Sequence, residues 1–177
     1  VTDMLISCAN AGLEEGNADT QLQAVVDRFT DIATGLDVSN LVVRAIAEDL
    51  KARVEADKSD KDKYMDNLKA AGEDNCAKLV AAYLQSTGTD ARYVNPGDAG
   101  LLLSDEYGNA QVLPQSYDNL KSLSDYSGIT IFPGFFGYSQ EGDVVTLPRG
   151  GSDITGSIVA AAVNASLYEN FTDVDNI

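Results

Sequence analysis

The sequence predicts an α/β fold, with a sheet covered on both faces by helices. Three observations lead there. Apolar residues recur at helical spacing from Met4 to Leu84. Short β-prone runs between turn residues fill the chain from Arg92 onward. An Ala-rich apolar run, Ile154–Val163, has the small residues a helix needs to pack closely on a sheet. With 177 residues, 44% of them apolar, the chain can bury one sizeable core.

In order, Met4, Leu5, Cys8, Ala9 and Leu13 define a first helix behind Thr2, a suitable N-cap. Gly16 and Asn17 end it. Leu22, Val25, Val26, Phe29, Ile32, Ala33 and Leu36 mark one side of a second helix that starts near Asp19 or Thr20. Ser39 opens a third, with Leu41, Val42, Ala45, Ile46 and Leu50 facing inward. The stretch Glu48–Asp66 mixes both charge signs densely and reads as a solvated helix face and turn. Gly72 is expected to precede a fourth helix carrying Cys76, Leu79, Val80, Tyr83 and Leu84 on one face, with Gly88 near its end. Strands are expected at Arg92–Val94, Leu101–Leu103, Gln111–Leu113, Gly128–Phe132, Val144–Leu147 and Leu167–Phe171. Turns fall at Asn95–Asp98, Tyr107–Asn109 and Pro133–Gly134, and Ser116–Leu123 reads as a short helix.

Charge and composition exclude several classes of function. Twelve Lys and Arg against 28 Asp and Glu leave a net charge of −16, so no phosphate backbone or anionic membrane is an expected partner. No apolar run is long enough to span a bilayer. No charged segment followed by an apolar stretch opens the chain, so no signal peptide is expected. Cys8 and Cys76 read as buried thiols of a reducing, cytoplasmic setting. Histidine is absent, which removes His-based triads, His general bases and most zinc sites. Ten of the twelve cations lie between Arg28 and Arg92; only Lys121 and Arg149 follow. An anion handled by the second half would fall mainly to Arg149.

Four segments could carry chemistry. Arg149-Gly150-Gly151-Ser152-Asp153 joins a strand to a helix N-terminus. Backbone N–H groups of such a turn can approach a ligand, and the helix end adds partial positive charge. Arg149 could hold a carboxylate in a bidentate pair, Ser152 could donate, and Asp153 could accept from an ammonium. The other reading is a capped turn in which Ser152 or Asp153 serves only the backbone. Thr172, Asp173 and Asp175 follow the last expected strand, where open α/β sheets bind nucleotides; a turn closing that strand is the alternative. Phe135, in Pro133-Gly134-Phe135-Phe136-Gly137, could wall a pocket or be a core aromatic. Glu73 could simply match a helix dipole, and becomes a ligand only if folding brings it near Arg149.

Taken together, these residues resemble the aspartate kinases (aspartokinases) within the amino acid kinase family. Residues 131–177 resemble the family's Gly-Phe-x-Gly turn, its Arg-Gly-Gly-Ser-Asp loop and its Thr-Asp-Val-Asp segment, in order. Ala71-Gly72-Glu73 matches the family's Gly-Glu, and Val1-Thr2-Asp3 its Val-Thr-Asp. The resemblance implies a three-layer αβα sandwich of the amino acid kinase type with a mainly parallel central sheet, incomplete at both ends. It makes residues 1–177 a partial catalytic domain, helical over 1–88 and strand-rich over 89–177.

The implied activity is transfer of a phosphoryl group from ATP, with Mg²⁺, to the side-chain carboxylate of L-aspartate, the first step toward lysine, diaminopimelate, threonine and methionine. Arg149, with Gly150, Gly151 and Ser152, would hold the substrate α-carboxylate. Glu73 and Asp153 would take the ammonium, Phe135 would line the pocket, and Thr2 would touch substrate. Thr172, Asp173 and Asp175 would face the nucleotide. No metal-ligating residue is assigned, and the enzyme is expected to be a homo-oligomer. The family's Lys-Phe-Gly-Gly phosphate loop and its C-terminal ACT domains have no counterpart in this sequence. The expectation is therefore an internal fragment of a longer enzyme, inactive on its own. Another amino acid kinase or a non-catalytic small-ligand module are the alternatives. If the first reading holds, Arg149, Glu73 and Asp153 should share one hollow.

Overall fold

Four helices account for the first half of the computed structural model, which describes residues 1–171. They are α1 (Thr2–Glu14), α2 (Asp19–Gly35), α3 (Asn40–Val54) and α4 (Lys61–Ser86). Ser39 caps α3 by accepting from Leu41 N at 3.3 Å, and Asp60 caps α4 by accepting from Asp62 N and Lys63 N. Thr2, expected as a cap, is instead the first helical residue; Val1 takes the cap position through its carbonyl, which accepts from Leu5 N at 3.0 Å. Leu5, Phe29, Ile46, Leu50 and Leu79 form the core of this helical half.

Helix α4 departs most from expectation. Its 26 residues span about 39 Å, and Gly72 lies in its middle rather than before its start. A Cβ at Gly72 would stand 3.1 Å from Leu5 Cδ1, so the residue that reads as a helix break is the point where α1 crosses α4 closely. The buried side of α4 runs through Tyr64, Leu68, Ala71, Asn75 and Leu79. Cys76 is exposed, while Cys8 is buried as expected.

The second half contains β1 (Ala91–Tyr93), α5 (Gln115–Asn119), a 3₁₀ segment (Leu120–Asp125), β2 (Ile129–Ile131), β3 (Phe136–Tyr138), β4 (Val144–Thr146) and α6 (Gly151–Ala162). Strands β1 and β2 pair in parallel, with Ala91 opposite Ile129. Strands β3 and β4 pair antiparallel, with Phe136 opposite Thr146. Leu102 bridges Tyr138 in parallel and Leu103 bridges Val112 antiparallel. The class is α/β as expected, and the described strands form two small two-stranded sheets, one parallel and one antiparallel. Leu101, Leu103, Leu120, Val145, Leu147 and Ile158 form the second core. Helix α4 packs on β1, β2 and β4; α6 packs on β3, α5 and the 3₁₀ segment.

Several strand assignments change, and the expected strands Leu101–Leu103 and Gln111–Leu113 are reduced to isolated bridges. Leu167–Phe171 is not a strand: Leu167 and Phe171 are 70% and 88% exposed, with no partner strand among the described residues. Phe136 and Gly137, read as part of a turn, belong to β3. A Cβ at Gly137 would lie 2.9 Å from Leu101 O, so glycine here admits a neighbouring backbone.

The mixed-charge stretch is not wholly solvated either. Asp66 is 1% exposed. Its Oδ2 accepts from Gly108 N at 2.7 Å and Thr146 N at 2.8 Å, tying α4 to the Tyr107–Asn109 turn and to β4. Arg53 reaches Asp49 at 3.0 Å and the buried Asp74 at 2.7 Å. Asp74 also receives Lys78 at 2.9 Å and the Tyr93 hydroxyl. Burial, with Asp74 next in effect, holds the Tyr93 phenol well above its ordinary range.

Replacing Asp66 by Ala strands one buried backbone donor, Thr146 N, and one partly buried, Gly108 N, each costing on the order of 1–3 kcal/mol. Urea unfolding should show Asp66→Ala destabilised by about 3 kcal/mol and Asp66→Asn, which keeps one acceptor oxygen, by about half of that.

Candidate functional site

The loop between β2 and β3 and the loop between β4 and α6 meet at the N-terminus of α6. Two glycines set the spacing. A Cβ at Gly134 would stand 2.9 Å from Ser152 Cα. One at Gly151 would stand 2.8 Å from Leu147 Cβ and 2.9 Å from Phe135 Cδ2. Phe135 itself has φ of +74°, a left-handed conformation that costs a non-glycine residue about 1–3 kcal/mol. Both its backbone polar groups are tied. Its N–H donates to Thr155 Oγ1 at 3.1 Å, and its carbonyl accepts from Leu147 N at 2.8 Å.

The strand, diglycine turn and helix expected around Arg149 are present. Gly150 is the N-cap of α6, at φ +84°, and no side chain caps the helix. The capped-turn alternative for Ser152 and Asp153 therefore does not hold. Ser152 and Asp153 are exposed residues of the first turn, and the N–H groups there are left without a side-chain acceptor.

A hollow of about 460 Å³ opens beside this turn. Its lining includes Glu73, Thr130, Phe132, Gly134, Ser152 and Thr155. Glu73 is half-buried, and burial raises its carboxyl above the ordinary range, opposed more weakly by the positive Val1 amino group. It has no hydrogen-bond or ion-pair partner among the described residues. Thr2 begins α1 and is exposed; its neighbour Val1 lies against α4 at Gly72.

The structure thus brings Glu73, Gly134, Ser152 and Thr155 to one hollow and places Phe135 in contact with Gly151. Arg149, Asp153 and Phe135 do not line that hollow, so the single hollow expected of Arg149, Glu73 and Asp153 is not formed. Arg149 is exposed, and nothing among the described residues pairs with it. Asp153 Oδ1 accepts from Asn170 Nδ2 at 3.1 Å. Thr172, Asp173 and Asp175 lie outside the described residues. Thr155 goes unmarked in the sequence, because a threonine inside an Ala-rich run reads as ordinary helix. Its spacing of four from Gly151, which suits a side-chain bond back to that carbonyl, is the only local signal.

Comparison with known proteins agrees with this architecture. The amino acid kinase family model matches residues 9–177. Aspartokinase 3 of Bacillus subtilis is 53% identical over the whole chain, which covers 39% of that protein. Aspartokinase III of E. coli in complex with aspartate and ADP (R-state) superposes with a TM-score of 0.77 at 25% identity, over 93% of this chain and 38% of that one. Clostridium acetobutylicum aspartate kinase gives a TM-score of 0.77 at 31% identity, over 99% of this chain and 37% of that one. The chain therefore spans well under half the length of these relatives.

The two glycines of the turn should respond differently to alanine. At Gly150 there is open space, so Gly150→Ala should cost only the positive-φ strain, about 1 kcal/mol. At Gly151 the added methyl overlaps Leu147 and Phe135, so Gly151→Ala should cost about 2–3 kcal/mol. Urea midpoints of the two variants test the order.

Proposed function

Since the chain belongs to the amino acid kinase family, we propose that it forms the aspartate-binding part of an aspartate kinase, which phosphorylates the side-chain carboxylate of L-aspartate with ATP. The activity is proposed for a polypeptide of the relatives' length. The observation that carries the reading is the pairing of unlike ends across one hollow. Glu73, a half-buried carboxylate with no partner among the described residues, and Ser152, in the first turn of the uncapped helix α6, line the same hollow. An α-amino acid carries the complementary pair, an ammonium and a carboxylate.

In this reading the substrate α-carboxylate meets the first turn of α6, where free N–H groups, the helix dipole and the Ser152 hydroxyl favour an anion. Arg149, two residues before the helix and without a partner among the described residues, closes over that carboxylate as a bidentate clamp. Glu73 takes the ammonium, and Asp153 joins it on release from Asn170. Phe135, outside the lining of the hollow and in contact with Gly151, backs the turn that faces the substrate. The side-chain carboxylate of aspartate is already ionised at neutral pH, so it attacks without a general base. The work left to the protein is positioning and charge neutralisation.

The described residues offer no cluster of three or more His, Cys, Asp or Glu that could hold a metal. In this reading Mg²⁺ would arrive as an ion carried by the nucleotide phosphates, and no step is assigned to it. Thr172, Asp173 and Asp175 remain the proposed nucleotide contacts. No described helix is long and apolar enough to cross a membrane, and a cytoplasmic location and homo-oligomeric assembly belong to the same proposal.

Coupled ADP release with L-aspartate, ATP and Mg²⁺ tests the activity; turnover with glutamate but not aspartate would overturn it. Arg149→Ala should weaken aspartate about a hundredfold, the scale of losing a charge-assisted pair. Glu73 adds a pH test. Its carboxyl must be ionised to hold the ammonium, and burial raises its pKa. Aspartate affinity should be full above that raised pKa and fall as pH drops through it, in a range higher than an ordinary glutamate gives. Glu73→Gln should bind weakly at every pH and lose that titration, readable by calorimetry.

A further inference from the structure

We propose that Thr155 is a positioning residue for the amino acid site, acting through the backbone of Phe135; the inference rests on the reading given under Proposed function. Thr155 is 3% exposed and is the one polar side chain on the buried face of α6, which it shares with Gly151, Ile158 and Ala162. Its single hydroxyl proton goes to Gly151 O at 2.8 Å, because a carbonyl can only accept. Its oxygen then accepts the N–H of Phe135 at 3.1 Å. One buried hydroxyl therefore spans the two loops that build the site, bonding the first turn of α6 on one side and the β2–β3 loop on the other.

The position of that bond matters because Phe135 is held in a left-handed conformation. Its carbonyl is fixed by Leu147 N at the end of β4, but that bond alone leaves the peptide before Phe135 free to rotate. The Thr155 oxygen fixes the N–H side. With Gly134 against Ser152 and Gly151 against Phe135, a rotation there would move the aromatic ring, the Ser152 turn and the wall of the hollow together. Serving Phe135 also explains why a polar side chain is buried here, since a threonine bonded only to its own helix gains nothing over valine. Thr155 needs no contact with substrate for this role.

The test uses the full-length enzyme with Thr155→Val, which keeps the shape and removes the hydroxyl, and Thr155→Ser, which keeps the hydroxyl. Hydrogen exchange at the Phe135 amide reads the bond directly. It should accelerate about tenfold in Thr155→Val, the scale of one hydrogen bond, and stay near wild type in Thr155→Ser. In kinetics, Thr155→Val should raise KM for aspartate about tenfold while kcat and KM for ATP stay within about twofold, and Thr155→Ser should restore it. Unchanged Phe135 exchange in Thr155→Val overturns the proposal. So does an unchanged aspartate KM in that variant of an active enzyme, or a Thr155→Ser variant no better than Thr155→Val. A wild-type enzyme inert toward aspartate, with Phe135 exchange still released by Thr155→Val and restored by Thr155→Ser, overturns the aspartate reading and upholds the coupling.

Discussion

Helix α4 touches both halves of the molecule, and its acidic side chains do the joining. Asp66 accepts two backbone N–H groups from the strand-bearing half, one at the turn around Gly108 and one at Thr146 on β4. Eight residues on, Asp74 binds Arg53 of α3 and Tyr93 of β1. Between them in sequence, Glu73 reaches the hollow beside α6. Residues 66 and 73 are about 10 Å apart along the helix axis, and a regular helix holds that spacing rigidly. Thr146, pinned by Asp66, is three residues from Arg149. The distance between the two ends of the proposed amino acid site is therefore set by one helix and one buried carboxylate.

Buried carboxylates are costly unless every oxygen is served. Asp66 and Asp74 meet that condition by different means. Asp66 takes backbone donors, supplemented by Lys69 at 3.5 Å. Asp74 takes two cations and a phenol. Glu73 is the exception on this helix, being half-buried with no partner among the described residues. On a chain with net charge −16, an unserved carboxylate facing a hollow is poised for a cationic ligand. The same charge balance gives Arg149, unpaired among the described residues, its weight, because few cations compete with it in the second half.

The α6 end of the site shows how close packing and hydrogen bonding divide the work. Gly134 and Gly151 allow two loops to approach the helix more closely than any Cβ would permit. Contact alone does not choose a peptide orientation; directional bonds from Thr155 and Leu147 do so at Phe135. A left-handed phenylalanine persists because both its neighbours over-determine it.

The first three helices, the α/β class and the strand–diglycine–helix unit around Arg149 were legible in the sequence, because each depends on local periodicity, cap residues and turn glycines. The motif order that gives the family resemblance was equally readable. What sequence could not supply was anything dependent on which segments meet. Gly72 reads as a helix break by its own propensity, and only the crossing of α1 makes it an interior helix residue. Asp66 sits among charges that look solvated, and its burial follows from two N–H donors 42 and 80 residues away. Leu167–Phe171 has strand-like composition, but a strand requires a partner edge. Local chemistry thus determined the elements and the candidate residues. Tertiary contact decided the joining role of α4, the grouping of Glu73 with Ser152, and the part played by Thr155, because each depends on donors, acceptors and free space contributed from elsewhere in the chain.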